Sequence, residues 1–362
     1  MKPTNLSDLF KPVDFLTQAV AATSVSKITA LLKQLPIVDE SEFLYDTKNP
    51  THGWQEGKLH WVPLGMDRGN AGRIKLAGHP ENPIAERSIN AMEALIELAR
   101  RTELLKDPKA PMPTSPREAV LRYFSLPPLD QLPKMTKPIG GKKPREYARE
   151  LAKKIRVRVL FERKVREFSV FIEDDGIGQG PARMHETLLS LGSSDKGDKT
   201  YLIGLFGQGG SSTYAVSEFS WCISRRAHLL LDGQGDGVGW TVVKEVFPKG
   251  RRDPYYAYLA AHPNGAVTAL PASAADAVNL KHGTRFAHLG YNFAGGGSAV
   301  MRSLYTMLNH ILYNPMLPLD LYAGTTIATI YGNGYRLSNA SIDKKTLLDK
   351  TFQPQSLNET IS

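Results

Sequence analysis

"FSVFIEDDGIGQGPARM", residues 168–184, is the stretch whose reading decides the fold. Apolar residues run to Ile172 as in a strand on a sheet, and Glu173, Asp174 and Asp175 then lead into Gly176 and Gly178. Asp-Gly is an ordinary turn dipeptide, so a plain turn is one reading. The other reading sets one carboxylate at the floor of a pocket, accepting a hydrogen bond from a base amino group. The glycines would then let a flat ring approach the backbone. A buried carboxylate needs such a partner, because desolvation without one is costly.

Upstream, "IRVRVLFE" (155–162) alternates in the same way, and a basic turn at Arg163 and Lys164 makes the two runs a hairpin. "PREYARELAKK" (144–154) reads as a helix. Residues 102–144 are proline-rich, broken by one short helix, "PREAVLRYFSL" (116–126), and read as an insertion or linker. "NPIAERSINAMEALIELARR" (82–101) is a clear helix, with Asn82 as its expected N-cap and Pro83 in its first turn. On it Glu86 and Asn90 are four apart and share a face, which Glu93 and Glu97 continue. A solvated polar stripe explains that spacing. So does chemistry: an Asn carbonyl is a hard ligand for Mg²⁺, and a Glu one turn earlier can activate the water that attacks a phosphate.

Downstream, "IGLFGQGGSSTYAV" (203–216) carries Gly204, Gly207, Gly209 and Gly210, followed by Ser211 and Ser212. Such a loop either turns a corner or lets backbone N–H groups converge on an anion, helped by a helix starting near Ser211. "EFSWCISRRAHLLLD" (218–232), "VGWTVVKEVF" (238–247) and "HGTRFAHLGY" (282–291) read as strands. "SAVMRSLYTMLNHILY" (298–313) reads as a helix and "ATIYGNGYRL" (328–337) as a hairpin. Residues 1–60 form a helical arm, and "KLHWVPLGMDRGNAGRIKLAG" (58–78) suggests a strand pair and loop. There is no internal repeat, and the polar last residues suit the N-terminal part of a longer protein.

The 362 residues are 41% hydrophobic and 22% charged, the balance of a globular chain. No stretch approaches a membrane helix, the first residues lack a signal peptide's apolar core, and cytoplasm is the expected compartment. The single cysteine, Cys222, excludes an internal disulfide, and nine histidines without HxH or HExxH spacing argue against a transition-metal enzyme. The net charge of +9 is concentrated: residues 134–166 hold 13 Lys or Arg against three Glu. That segment is either a solvated surface or a contact for a polyanion, with DNA first and Lys153, Lys154, Arg156 and Arg158 as candidate contacts.

The order of these elements resembles the GHKL ATPases, which include gyrase, the large heat-shock chaperones, histidine kinases and MutL-type repair proteins. A Glu-x-x-x-Asn helix precedes Asp-x-Gly-x-Gly after a strand, then a Gly-x-x-Gly-x-Gly loop, then Gly-Thr on a late strand. The resemblance covers roughly residues 60–295. It implies an α/β fold: a two-layer Bergerat-type sandwich, with a mixed sheet covered by helices, a mobile ATP lid at about 179–203 and a helical, basic insertion at about 102–166. It further implies an N-terminal arm over 1–60 that exchanges in an ATP-state homodimer, an ATP-binding domain over 61–295 and an extension over 296–362.

Carried over by residue, the resemblance makes Glu86 the general base and Asn90 the Mg²⁺ ligand. Asp174 would read the adenine amino group, with Gly176, Gly178 and Met184 nearby. Gly204, Gly207, Gly209, Gly210, Ser211 and Ser212 would hold phosphate, and Thr284 would complete the adenine pocket. "SSDKGDK" (193–199) looks most like the microrchidia (MORC) branch, which places Ser194 and Lys196 at the lid. Those relatives carry a lysine shortly after the last glycine of the loop, where this chain has serines, and the 84 positions from Asn90 to Asp174 are long for the superfamily. The expected cofactors are ATP and Mg²⁺, with no membrane partner. The expected activity is ATP hydrolysis that drives lid closure and dimerisation, with DNA clamping in repair, chromosome biology or anti-phage defence as its expected setting. A histidine-kinase-type catalytic domain, or an ATP-binding switch acting on a protein without DNA, are the alternatives.

Overall fold

The computed structural model describes residues 11–39, 45–74, 79–191, 198–203, 209–247, 249, 253–293, 297–324 and 326–342. Their strands are β1 (His60–Pro63), β2 (Ile155–Glu162), β3 (Glu167–Asp174), β4 (Phe219–Arg225) and β5 (Gly237–Val246), then β6 (Tyr255–Ala260), β7 (Thr268–Pro271), β8 (Gly283–Leu289), β9 (Leu319–Ala323) and β10 (Thr326–Ile330). All ten belong to one sheet, ordered β1-β6-β5-β4-β8-β3-β2-β9-β10, with β7 on β5. The β2–β9 pair is parallel and the other pairs are antiparallel, so the sheet is mixed. With its helices this is the expected α/β class, a mixed sheet covered by helices.

Successive side chains of a strand point to opposite faces, and that fixes which face each residue serves. On one face Val170 and Ile172 of β3 join a core built with α3 (Glu81–Lys106), α4 (Pro116–Phe124), α5 (Pro144–Ala152) and α8 (Gly297–Ile311). The opposite face buries Phe171, Trp221, Trp240 and Ala287 beneath α1 (Pro12–Ala21), α2 (Val25–Leu32) and α7 (Ala272–Ala277). Phe15 of α1 meets Trp240 edge-on, with ring centroids 5.0 Å apart. The helices of the expected arm are therefore part of this chain's own core. An exchange that included them would have to undo that packing.

Several local expectations are corrected. Asn82 does not cap α3; the helix starts at Glu81, after Pro80, and Asn82 lies in its first turn. Among the described residues of the segment expected to be a strand pair, 58–74, there is a single strand, β1, which pairs with β6 and runs into 3₁₀ turns at Leu64–Met66 and Asn70–Gly72. Residues 328–337 are not a hairpin: β10 pairs with the preceding β9, and Gly332 opens α9 (Gly332–Ile342). Gly332 has φ +85°, and a Cβ there would overlap the carbonyl oxygens of Leu312 and Tyr313, so the glycine serves a close helix approach. The proline-rich stretch is no loose linker either. Ala119, Val120, Leu126, Leu129 and Leu132 are buried in the α3-side core.

Candidate functional site

The α3-facing end of three neighbouring strands carries the first part of the site. Residues directly opposite in antiparallel pairs share a face, and Asp174 of β3 lies opposite Thr284 of β8, which lies opposite Ser224 of β4. The same alternation that buries Val170 and Ile172 turns Asp174, rather than Glu173 or Asp175, toward α3. Asp174 is 8% exposed and accepts from the Gly176 N–H at 2.8 Å. Burial, above all, raises its carboxyl to about 7, against the pull of that N–H. Thr284 and Ser224 hydroxyls lie 2.9 Å apart. Ser224 donates to the Gly283 carbonyl and accepts from the Gln179 N–H at 2.8 Å, which leaves Thr284 as the donor to it. Sequence reading missed Ser224, because serine inside an apolar strand gives no signal before its neighbours are known.

The glycines beside Asp174 make the loop possible. A Cβ on Gly176 would lie 2.5 Å from the Ala94 Cβ of α3, and one on Gly178 (φ +62°) would overlap the Arg225 carbonyl oxygen. Their missing side chains are used for contact between chain segments rather than left open to a ring. His282, also missed, bonds the Gly176 carbonyl at 2.7 Å through Nδ1. Met184 is fully buried among core residues and packs on Gly239, so its side chain is not offered to a ligand.

Helix α3 acts as a ruler across the site. The Glu86 carboxylate accepts from the Ser212 hydroxyl at 2.7 Å, and burial is the main reason its carboxyl titrates above its ordinary value. One turn on, the Asn90 amide nitrogen lies 3.1 Å from where a Cβ on Gly210 would stand. One further turn brings Ala94, whose carbonyl accepts from Ile177 N–H at 3.0 Å. Gly209–Ser211 form a 3₁₀ turn, and α6 (Ser212–Ala215) is a single helical turn. The helix expected near Ser211 is thus present and very short. Gly204, Gly207, Ser194 and Lys196 lie outside the described residues.

Glu93 and Glu97, the rest of the acidic stripe, are not a solvated surface. Buried Glu93 accepts from the Ile203 N–H at 2.7 Å. Glu97 accepts from the Tyr201 hydroxyl at 2.7 Å and from Lys199 at 3.2 Å. Both ends of the expected lid are thereby held: 198–203 by α3, and 180–191 by Met184 and Leu189 in the core.

The basic segment divides. On β2, Arg156 bonds Asp175 at 2.9 Å and reaches Glu173 at 3.4 Å, while Arg158 lies over the Phe171 ring at 4.5 Å and 3.8 Å from Glu173. Lys153 pairs with Glu150. Lys154 is exposed. The guanidinium of Arg156 is committed to the strand end that carries Asp174. On α5, exposed Arg145 and Arg149 join Lys143 and Glu146 around a groove of about 400 Å³.

Among the described residues no group of three His, Cys, Asp or Glu is placed to hold a metal ion. An Asn-held Mg²⁺ that draws its other ligands from phosphate and water would not need such a group. No helix among the described residues is long and apolar enough to cross a membrane. No protein-family model matches the chain, and no curated protein matches it.

Proposed function

We propose that this chain binds ATP with Mg²⁺ and hydrolyses it, in the manner of the GHKL ATPases. The observation that carries the reading is the arrangement along α3. Glu86 touches Ser212, Asn90 flanks Gly210, and Ala94 packs on Gly176, so the phosphate-loop end and the Asp174 loop meet one helix within two turns. Eight residues of helix rise about 12 Å, a span suited to a nucleotide laid from base to terminal phosphate. Asp174 accepts from the adenine amino group, with the Thr284–Ser224 pair beside it. Glu86, with its carboxyl raised by burial, takes the proton of the attacking water. Asn90 would hold Mg²⁺, which would supply charge neutralisation at the phosphates.

Glu86→Ala tests the assignment. ATP uptake by titration calorimetry should persist while turnover falls by about 10²–10⁴-fold, the usual contribution of a general base. Turnover that survives the change would remove Glu86 from its role. Failure of the unaltered chain to take up ATP would remove the reading itself. Lid closure, an ATP-state homodimer and DNA clamping extend the reading, and so does a cytoplasmic setting. For DNA, the exposed cations of α5 are better contacts than Arg156, whose charge is spent on Asp175 and Glu173.

A further inference from the structure

Arg87, next in sequence to Glu86, is 6% exposed. Its guanidinium lies 3.9 Å from the Phe286 ring centroid and 5.1 Å from that of Tyr214. Nε and Nη2 both donate to the Thr213 hydroxyl, at 3.3 and 3.2 Å. Nη1 points elsewhere: it lies 2.9 Å from where a Cβ on Gly210 would stand, beside the Asn90 amide. Among the described residues no carboxylate lies within ion-pair distance of this guanidinium.

A buried charge needs an opposite charge or a full set of hydrogen bonds. Thr213 is neutral. The Tyr214 phenol, which also interacts with Arg87 through its hydroxyl, is held above its ordinary range by burial and stays protonated, so it is neutral too. His288, behind Phe286, is driven well below its ordinary value by burial and then by Arg87, so it adds no second cation. The carboxylate that feels Arg87 is Glu86, whose own oxygen is held by Ser212. Aromatic faces attract a guanidinium without neutralising it. The cluster is therefore built around a positive charge for which the described residues supply no carboxylate at ion-pair distance, and Gly210 at the phosphate-loop end packs directly against its Nη1 edge.

The geometry points to Arg87 as the fixed cation against which the terminal phosphate of a nucleoside triphosphate is seated, making the site prefer triphosphate to diphosphate. This assignment rests on the ATP reading above. It places the charge beside Glu86, where the phosphate to be cleaved must lie, and guanidinium geometry suits phosphate oxygens. Arg87 is a positioning residue that also sets specificity.

The test is calorimetric titration of the full chain, with Mg²⁺, against a non-hydrolysable ATP analogue and against ADP. Arg87→Met, which keeps bulk and loses charge, should weaken the triphosphate analogue by about tenfold or more, the loss of one charge-assisted contact, and ADP by less than about threefold. Arg87→Lys keeps the charge without the fork and should fall between Arg87→Met and the unaltered chain. A purely structural role would weaken both nucleotides alike. Equal losses, or an unchanged triphosphate-to-diphosphate ratio, would overturn the assignment while leaving ATP binding intact. If Arg87→Met loses its cooperative melt, the ratio measured for Arg87→Lys decides in the same sense. An unaltered chain that takes up neither nucleotide would overturn both this assignment and the ATPase reading.

Discussion

Helix α3 and the segment from Lys134 to Arg166 are the two charged regions of this chain, and in sequence they look equally solvated. In the fold they do different work. The acids of α3 turn inward: Glu86, Glu93 and Glu97 each accept a hydrogen bond from the segment spanning 199–212. The basic segment is split between β2, where Arg156 and Arg158 face Glu173 and Asp175, and α5, where the cations stay in solvent. Charge density alone therefore says nothing about burial. What decides it is whether a residue far away in sequence supplies a partner.

The contrast breaks most visibly at glycine. Gly178, in the Asp174 loop, and Gly141, in the basic segment, both have positive φ, +62° and +78°. A Cβ at Gly178 would overlap the Arg225 carbonyl, whereas at Gly141 it would meet open space. Gly178→Ala should cost more than about 4 kcal/mol or abolish the cooperative melt, and Gly141→Ala about 1–2 kcal/mol from backbone strain alone. Equal melting temperatures for the two variants would contradict the packing assigned to Gly178.

Asp174 gives the next largest effect, through pH. Its carboxyl is raised to about 7, so the folded chain keeps a proton that the unfolded chain releases near its ordinary value. Its contribution to stability is greatest at low pH and declines as pH rises from about 4 to about 7, by up to about 1.4 kcal/mol per unit. Asp174→Asn removes that decline. Melts at pH 5 and pH 8 should therefore lie closer together in the variant than in the unaltered chain; identical gaps would place the titration elsewhere.

A smaller difference separates two cations of one segment. Arg156→Gln leaves Glu173 and Asp175 without their shared partner and should cost about 1–3 kcal/mol. Lys153→Gln removes an exposed pair with Glu150 and should leave the denaturant midpoint unchanged. Similar midpoints for both variants would show that the two regions are less different than their contacts indicate.

Much of the fold was legible. The hairpin of β2 and β3 was readable from two alternating runs, and its observed register, Ile155 to Asp174 through Glu162 to Glu167, follows the turn expected at Arg163 and Lys164. α3, α4, α5 and α8 were readable from apolar spacing. The false hairpin at 328–337 shows the limit. Asn333-Gly334 is a turn signal, yet both residues lie in the first turn of α9, and Gly332 before them packs closely against Leu312 and Tyr313. Of the candidate site, Glu86, Asn90, Asp174 and Thr284 were readable as motif positions. Ser224, His282 and Arg87 were not, since each acquires meaning from an atom contributed by another segment.

What the sequence determined by itself was local: the two-residue period that puts Asp174 on the face of Val170 and Ile172, and the helical period that aligns Glu86 with Asn90. Both are set by backbone geometry within a few residues. Only the tertiary structure decided which charges are paired, that Arg87 is buried with no carboxylate of the described residues at ion-pair distance, and that Asp174, Thr284 and Ser224 form one row. Those outcomes depend on strand order and on packing between residues far apart in the chain, such as Glu86 and Ser212, 126 positions apart. No local periodicity encodes them.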